Sequence, residues 1–176
     1  MGLQDALLTL NTLIEEGIIE GYAIAGGHAV MYYDLPTATY DLDILVILTT
    51  EDDFHRLYQY FRDRGAKIEE VYIFINDMPV QFFPNYISPL FDASVRESIS
   101  IEIGDIHSRV VSIEHLLVLL LTSFRPKDKI RLQELVDKAD KLLLEDIIKR
   151  FDDNEHKLFK RYRSILAGTP GGEGKS

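Results

Sequence analysis

Asp41 and Asp43 stand one residue apart in the stretch Tyr40-Asp41-Leu42-Asp43-Ile44. Side chains alternate along an extended strand, so both carboxylates point to the same face. Their neighbours Leu42, Ile44, Val46, Ile47 and Leu48 are apolar, which sets the pair at the edge of a core. Holding two like charges there is costly unless a cation or strong hydrogen-bond donors compensate. The pair therefore reads as a metal site.

The second chemical element comes earlier. A short apolar run over residues 22–25 ends in Gly26-Gly27, and a helix-length segment beginning at His28 follows. Residues without Cβ let the backbone come close to a ligand, and a helix start offers unpaired N–H groups to an anion. A Gly-Gly turn alone has a purely structural explanation. Followed by the aspartates, it predicts a phosphate cradle next to a strand that holds the bridging metal. His28 could line that pocket or simply begin the helix. Among His28, His55, His107, His115 and His156 no pair has a metal-ligand spacing supported by neighbouring ligands. His115 reads as a helix-start residue that contributes to capping, and His55 and His156 read as surface residues. Further on, Arg125, Lys127 and Lys129 place three cations in five residues around Pro126, at a helix junction. They could reach a triphosphate, or be a solvated helix start.

These groups need elements to carry them. Leu3, Leu7, Leu10, Leu13 and Ile14 recur at helical spacing over residues 3–17, with Gly17 as C-cap. A strand is expected at 22–25, a helix at 28–33, a loop at 34–37 with Pro36, and a central strand at 40–48, apolar on both faces beyond Asp43. Thr49-Thr50 followed by three acids begins a helix that runs to Gly65. Two hairpins are expected, 71–75 with 79–83 around Asn76-Asp77, and 99–103 with 106–111 around Gly104-Asp105. A short helix fits between them. Helices are expected at 113–124, 127–141, 145–151 and 154–167. The terminal Gly-Glu-Gly-Lys-Ser suggests a phosphate loop, but Thr169 stands where that motif needs glycine and no helix follows. It reads as a flexible tail.

Composition sets the frame. The chain has 176 residues, 46% hydrophobic and 27% charged, which suits a globular protein with one main core. No apolar run reaches membrane-spanning length. The start carries Asp5 and no basic segment, so no signal peptide is expected. The absence of cysteine rules out disulfides and thiolate metal sites and is compatible with a cytoplasmic location. The formal net charge of −10 argues against broad, non-specific binding to DNA. That charge is uneven. Residues 1–124 carry 6 Lys and Arg against 19 Asp and Glu, whereas residues 125–163 carry 12 against 9. An acidic front and a mildly basic helical part suit metal-binding carboxylates that face phosphate-binding cations.

The order glycine pair, helix, threonine, Asp-x-Asp resembles the nucleotidyltransferase superfamily that shares its fold with DNA polymerase beta. The matching residues are Gly26-Gly27 and Thr39-Tyr40-Asp41-Leu42-Asp43-Ile44. Within that superfamily the chain looks most like bacterial proteins related to the toxin nucleotidyltransferases of abortive-infection systems, through Glu114-His115-Leu116 and Arg125-Pro126-Lys127-Asp128. The resemblance covers about residues 20–130. It implies an α+β fold, a mixed β-sheet flanked by helices with a helical C-terminal portion. Residues 1–112 would form the nucleotidyltransferase-like core, 113–167 a helical portion of the same compact unit, and 168–176 the tail. Asp41 and Asp43 would bind Mg2+ (or Mn2+). Gly26, Gly27, His28, Thr39, Arg125 and Lys127 would contact the nucleotide. The implied reaction moves a nucleoside monophosphate from a nucleoside triphosphate to a hydroxyl of a small molecule, protein or RNA. The chain departs from the family pattern at three places: Gln81 stands where a third carboxylate is usual, Thr37 where relatives often have arginine, and Leu120 where they often have lysine. Asp77 and Glu102 are the candidates to replace that carboxylate. The alternative is a catalytically degenerate fold member that binds a nucleotide or a partner protein, as in a toxin–antitoxin-like system.

Overall fold

The strand that begins at the acid pair is the middle of a seven-stranded sheet. The computed structural model describes residues 2–168; the Gly-Lys-Ser tail, residues 169–176, lies outside the described residues. Strand β2 (Leu42–Ile47) buries Leu42, Ile44, Leu45 and Val46, as expected of a strand covered on both faces. Asp41 immediately precedes its first residue.

The chain divides into two units. One takes residues up to Tyr32 together with Pro36–Ser112; the other takes Tyr33–Leu35 and the described residues from Ile113 onward. In the first unit the elements are α1 (Gly2–Glu15), β1 (Gly21–Ile24), α2 (Gly26–Tyr32), β2, α3 (Glu51–Asp63), β3 (Ile68–Glu69), β4 (Tyr72–Ile75), β5 (Met78–Pro84), α4 (Pro89–Arg96), β6 (Ile99–Ile103) and β7 (Ile106–Val110). The sheet order is β3-β4-β5-β2-β1-β7-β6. β2 runs antiparallel to β1 and parallel to β5, and β1 runs parallel to β7. The sheet is mixed and the class is α+β.

Helices cover both faces because the strands alternate two apolar sets. On one side Phe61 of α3 lies 6.1 Å from Phe82, and the Tyr22 hydroxyl donates to Asn11 of α1 at 3.0 Å. On the other side Phe91 of α4 meets Phe83 edge to face at 6.0 Å. Both hairpins turn where a left-handed residue is available, Asn76 at φ 53° and Gly104 at φ 60°. Thr50 caps α3 in a reciprocal box: its hydroxyl accepts the Asp53 N–H at 3.3 Å, and the Asp53 carboxylate accepts the Thr50 N–H at 2.9 Å. Thr50→Ala is expected to cost about 1 kcal/mol of stability. A lower urea midpoint with an unchanged slope would show it.

The second unit holds α5 (Ile113–Ser123), α6 (Pro126–Leu135), α7 (Lys141–Phe151) and α8 (Lys157–Gly168). The sequence predicts one helix over 127–141, but the structure breaks it. α6 ends at Leu135, a 3-10 turn spans Val136–Lys138, and Asp140 caps α7 by accepting the Leu143 N–H at 3.0 Å. Aspartate competes poorly inside helices and well at their starts. α8 begins three residues later than expected, because the Asp152 carboxylate accepts the Leu158 and Phe159 amides at 2.8 and 3.1 Å. Gly168, expected in the tail, closes α8. No helix of the described residues is long and apolar enough to cross a membrane.

Candidate metal and nucleotide site

Strand register brings the chemistry together. Asp43 pairs with Gln81 on β5, and Gln81 pairs in turn with Tyr72 on β4. Cross-strand partners share a face, so Tyr72, Gln81 and Asp43 form one row, and Asp41, just outside β2, interacts with Tyr72. On the other flank the Ala25 N–H donates to the Asp43 carbonyl at 2.9 Å and leads the chain into α2.

The two glycines fit this row. Gly26 has φ 57°, a left-handed conformation that side chains disfavour, and a Cβ placed there would lie 2.0 Å from Asp43 Oδ2. The Asp43 carboxylate occupies the space that a side chain at position 26 would need. Gly27 does the same for Thr39, since its Cβ would lie 2.6 Å from both Thr39 Cβ and Oγ1. The Thr39 hydroxyl donates to the Asp41 carbonyl at 3.1 Å. Gly26, Gly27, Thr39, Asp41 and Asp43 thus interlock: each glycine leaves room for one residue of the strand segment that carries the acids.

His28, half-buried on α2, feels the Asp41 charge. Burial lowers its pKa below the ordinary 6.5, and Asp41 pulls it partly back. The imidazole is neutral at neutral pH. As pH falls through the ordinary imidazole range the unfolded chain binds the proton more readily than the folded one, so His28 removes stability toward acid and has no effect above that range. NMR titration is expected to show His28 below 6.5. The value should drop further in Asp41→Asn, and His28→Gln should flatten this part of the stability profile. Tyr72 shifts the other way: chiefly the Asp41 charge, then partial desolvation, a hydrogen bond to Asp41 and the Asp43 charge raise its phenol above 10.0.

No group of three or more His, Cys, Asp or Glu among the described residues could hold a metal ion, so neither Asp77 nor Glu102 completes a third-carboxylate site. Asp77 sits in the β4–β5 turn, four residues from Gln81 and roughly 13 Å along the strand. Glu102 lies on β6, three strands from β2, and accepts from His107 at 3.0 Å. The donors at hand are two carboxylates and the Gln81 amide carbonyl. Such a hard-oxygen set suits Mg2+ or Mn2+, which take one or two carboxylates and complete their shell with water and phosphate oxygens.

Arg125 and Lys127 belong to the second unit. Arg125 precedes α6, and its Nε and backbone N–H both donate to Asp128 Oδ2 at 2.9 Å. Ser123 donates to the same oxygen at 2.8 Å. Burial alone would push the Asp128 carboxyl up, but these donors outweigh it and hold it below the usual range. The Arg-Pro-Lys-Asp segment is thus a helix start built on a fully buried acid, and Lys127 stands exposed beside it. Leu120 and His115 are buried in α5. The residue that sequence reasoning missed is Tyr72. Only the hairpin register, with Gln81 as the middle partner, could have pointed to it.

No protein-family model matches the chain, and no curated protein matches it by sequence. Solved structures do. Two structures of the antibiotic-resistance factor ANT(2'')-Ia, one in complex with adenylyl-2''-tobramycin, superpose at TM-scores of 0.45 and 0.43 with 14% and 15% identity. The alignments cover 95% and 94% of this chain and 85% and 88% of those chains. An antigenic nucleotidyltransferase-like protein from Paracoccidioides brasiliensis superposes with a TM-score of 0.62 at 11% identity, over 96% of this chain and 89% of its own. The seven-stranded mixed sheet and its flanking helices are therefore a nucleotidyltransferase-like fold.

Proposed function

We propose that the protein is a divalent-metal-dependent nucleotidyltransferase that moves a nucleoside monophosphate from a nucleoside triphosphate to a hydroxyl acceptor and releases pyrophosphate. The observation that carries this reading is the interlock of Gly26 with Asp43, a left-handed glycine whose missing side chain makes room for a carboxylate. Asp41 and Asp43 would hold Mg2+ or Mn2+, with the Gln81 carbonyl as an available further donor. An ion held there would supply charge neutralisation for the phosphoryl oxygens and orientation for the attacking oxygen. The chain's own part is to hold the two carboxylates on one face, keep Thr39 against Gly27, and present a neutral imidazole at His28.

Gln81 opposite Asp43 supports a second reading, a fold member that binds a nucleotide without transferring it. An amide has no charge to offer the metal and is no base for the acceptor proton. Incubating the protein with Mg2+ and labelled nucleoside triphosphates separates the two. Label reaching a small-molecule, protein or RNA acceptor, with pyrophosphate released, is the expected result. Nucleotide bound with no label transferred over the acceptor panel supports the second reading. If no nucleotide binds in a manner lost in Asp41→Ala and Asp43→Ala, both readings are wrong.

A further inference from the structure

Tyr72 is an unassigned group that interacts with both acids of the pair. β4 and β5 form a two-residue hairpin, so the pairing of Tyr72 with Gln81 is set by the turn at Asn76-Asp77 as well as by the strands. β5 in turn pairs with β2 over five residues, Leu42 to Val46, so the row from Tyr72 through Gln81 to Asp43 is fixed at both joins. All three side chains emerge on the same face, and all three are partly exposed rather than packed into the core. Tyr40, the sequence neighbour of Asp41, is by contrast 74% exposed.

We propose that Tyr72 is a positioning residue for the metal-binding pair, its phenol donating a hydrogen bond to the Asp41 carboxylate and holding it in the orientation that binds the ion. The inference rests on the metal-site reading given above. A two-carboxylate site has no third acid to restrain its members. Gln81 already faces Asp43 in the register, which leaves Asp41, one residue outside the strand, without a ladder partner to fix it. Carboxylates that bind metals are oriented by outer hydrogen bonds, and loss of such a partner weakens metal affinity about 10- to 100-fold. Tyrosine is suited to this role because it is long enough to lean from β4, carries a single donor, and adds no charge.

The test measures Mn2+ binding to the full chain from the paramagnetic signal of free Mn2+, for wild type, Tyr72→Phe, Tyr40→Phe and Asp43→Ala. Tyr72→Phe is expected to weaken Mn2+ binding about 10- to 100-fold while melting with the wild type, and Tyr40→Phe to bind as the wild type does. Adding Mn2+ should also perturb the near-ultraviolet tyrosine absorption of wild type and of Tyr40→Phe, and leave Tyr72→Phe unchanged. A merely structural role for Tyr72 would not produce that signal. If Tyr72→Phe binds Mn2+ as tightly as wild type while Asp43→Ala loses it, the role given to Tyr72 is wrong and the metal site stands. If wild type binds no Mn2+, or Asp43→Ala binds it unchanged, the metal site is wrong and the role of Tyr72 goes with it.

Discussion

Asp43→Ala is expected to lower the affinity for Mg2+ with a nucleoside triphosphate by at least about 100-fold, since even the outer partners of metal ligands are worth about 10- to 100-fold. Transfer should fall by at least as much. Asp43 is the acid most deeply built into the fold: it lies within β2, faces Gln81, and fills the space beside Gly26. Removing a carboxylate from beside a second carboxylate relieves repulsion and so offsets the partners that Asp43 loses, and any loss of stability should be small beside the loss of binding. Loss of function far out of proportion to any loss of stability is the signature of a side chain kept for chemistry. Calorimetric titration beside thermal unfolding reads both. A variant that is destabilised but still binds the metal and nucleotide would show that Asp43 is a structural residue.

Gly26→Ala is expected to be damaging for a different reason. The left-handed backbone costs a side chain about 1–2 kcal/mol, and crowding in a packed setting adds about 1–3 kcal/mol. The sum is roughly 2–5 kcal/mol, and the added methyl also displaces the Asp43 carboxylate from its place. The double variant Gly26→Ala with Asp43→Ala separates the parts. It removes the atoms that the new Cβ would meet at 2.0 and 2.8 Å and leaves Asp43 Cβ at 3.0 Å. Stability should therefore recover by the crowding part, with a coupling of about 1–3 kcal/mol, and the backbone part should remain. Denaturant unfolding of the four proteins measures it. No coupling between positions 26 and 43 would mean that the glycine serves the turn alone.

Much of the sheet is legible in the sequence because strands carry their own punctuation. The alternation in β4 and β5, with Asn76-Asp77 between them, predicts a hairpin, and the apolar run of β2 beyond Asp43 predicts a central strand. The helices of the second unit are less legible. Their breaks depend on which polar side chain wins a backbone amide, and Asp140 and Asp152 capture theirs from inside stretches that read as continuous helix or as a join. The site is half legible. Two aspartates one residue apart announce a shared face without any knowledge of neighbours. The glycines read as phosphate contacts in the sequence, whereas the structure shows their missing side chains turned toward Asp43 and Thr39, a relation between segments distant in sequence. Tyr72 is invisible for the same reason, since it joins the acids only through the pairing of three strands. Gln81 can be suspected from its place in the strand, and the register puts it opposite Asp43.

The most direct measurement is a crystal structure of the protein grown with Mn2+ and a non-hydrolysable nucleoside triphosphate, with anomalous scattering used to locate the ion. An anomalous peak bound by Asp41 and Asp43, with the nucleotide phosphates against it, is the result expected. A nucleotide bound elsewhere, or Mn2+ absent from the two carboxylates while the nucleotide is present, would contradict it.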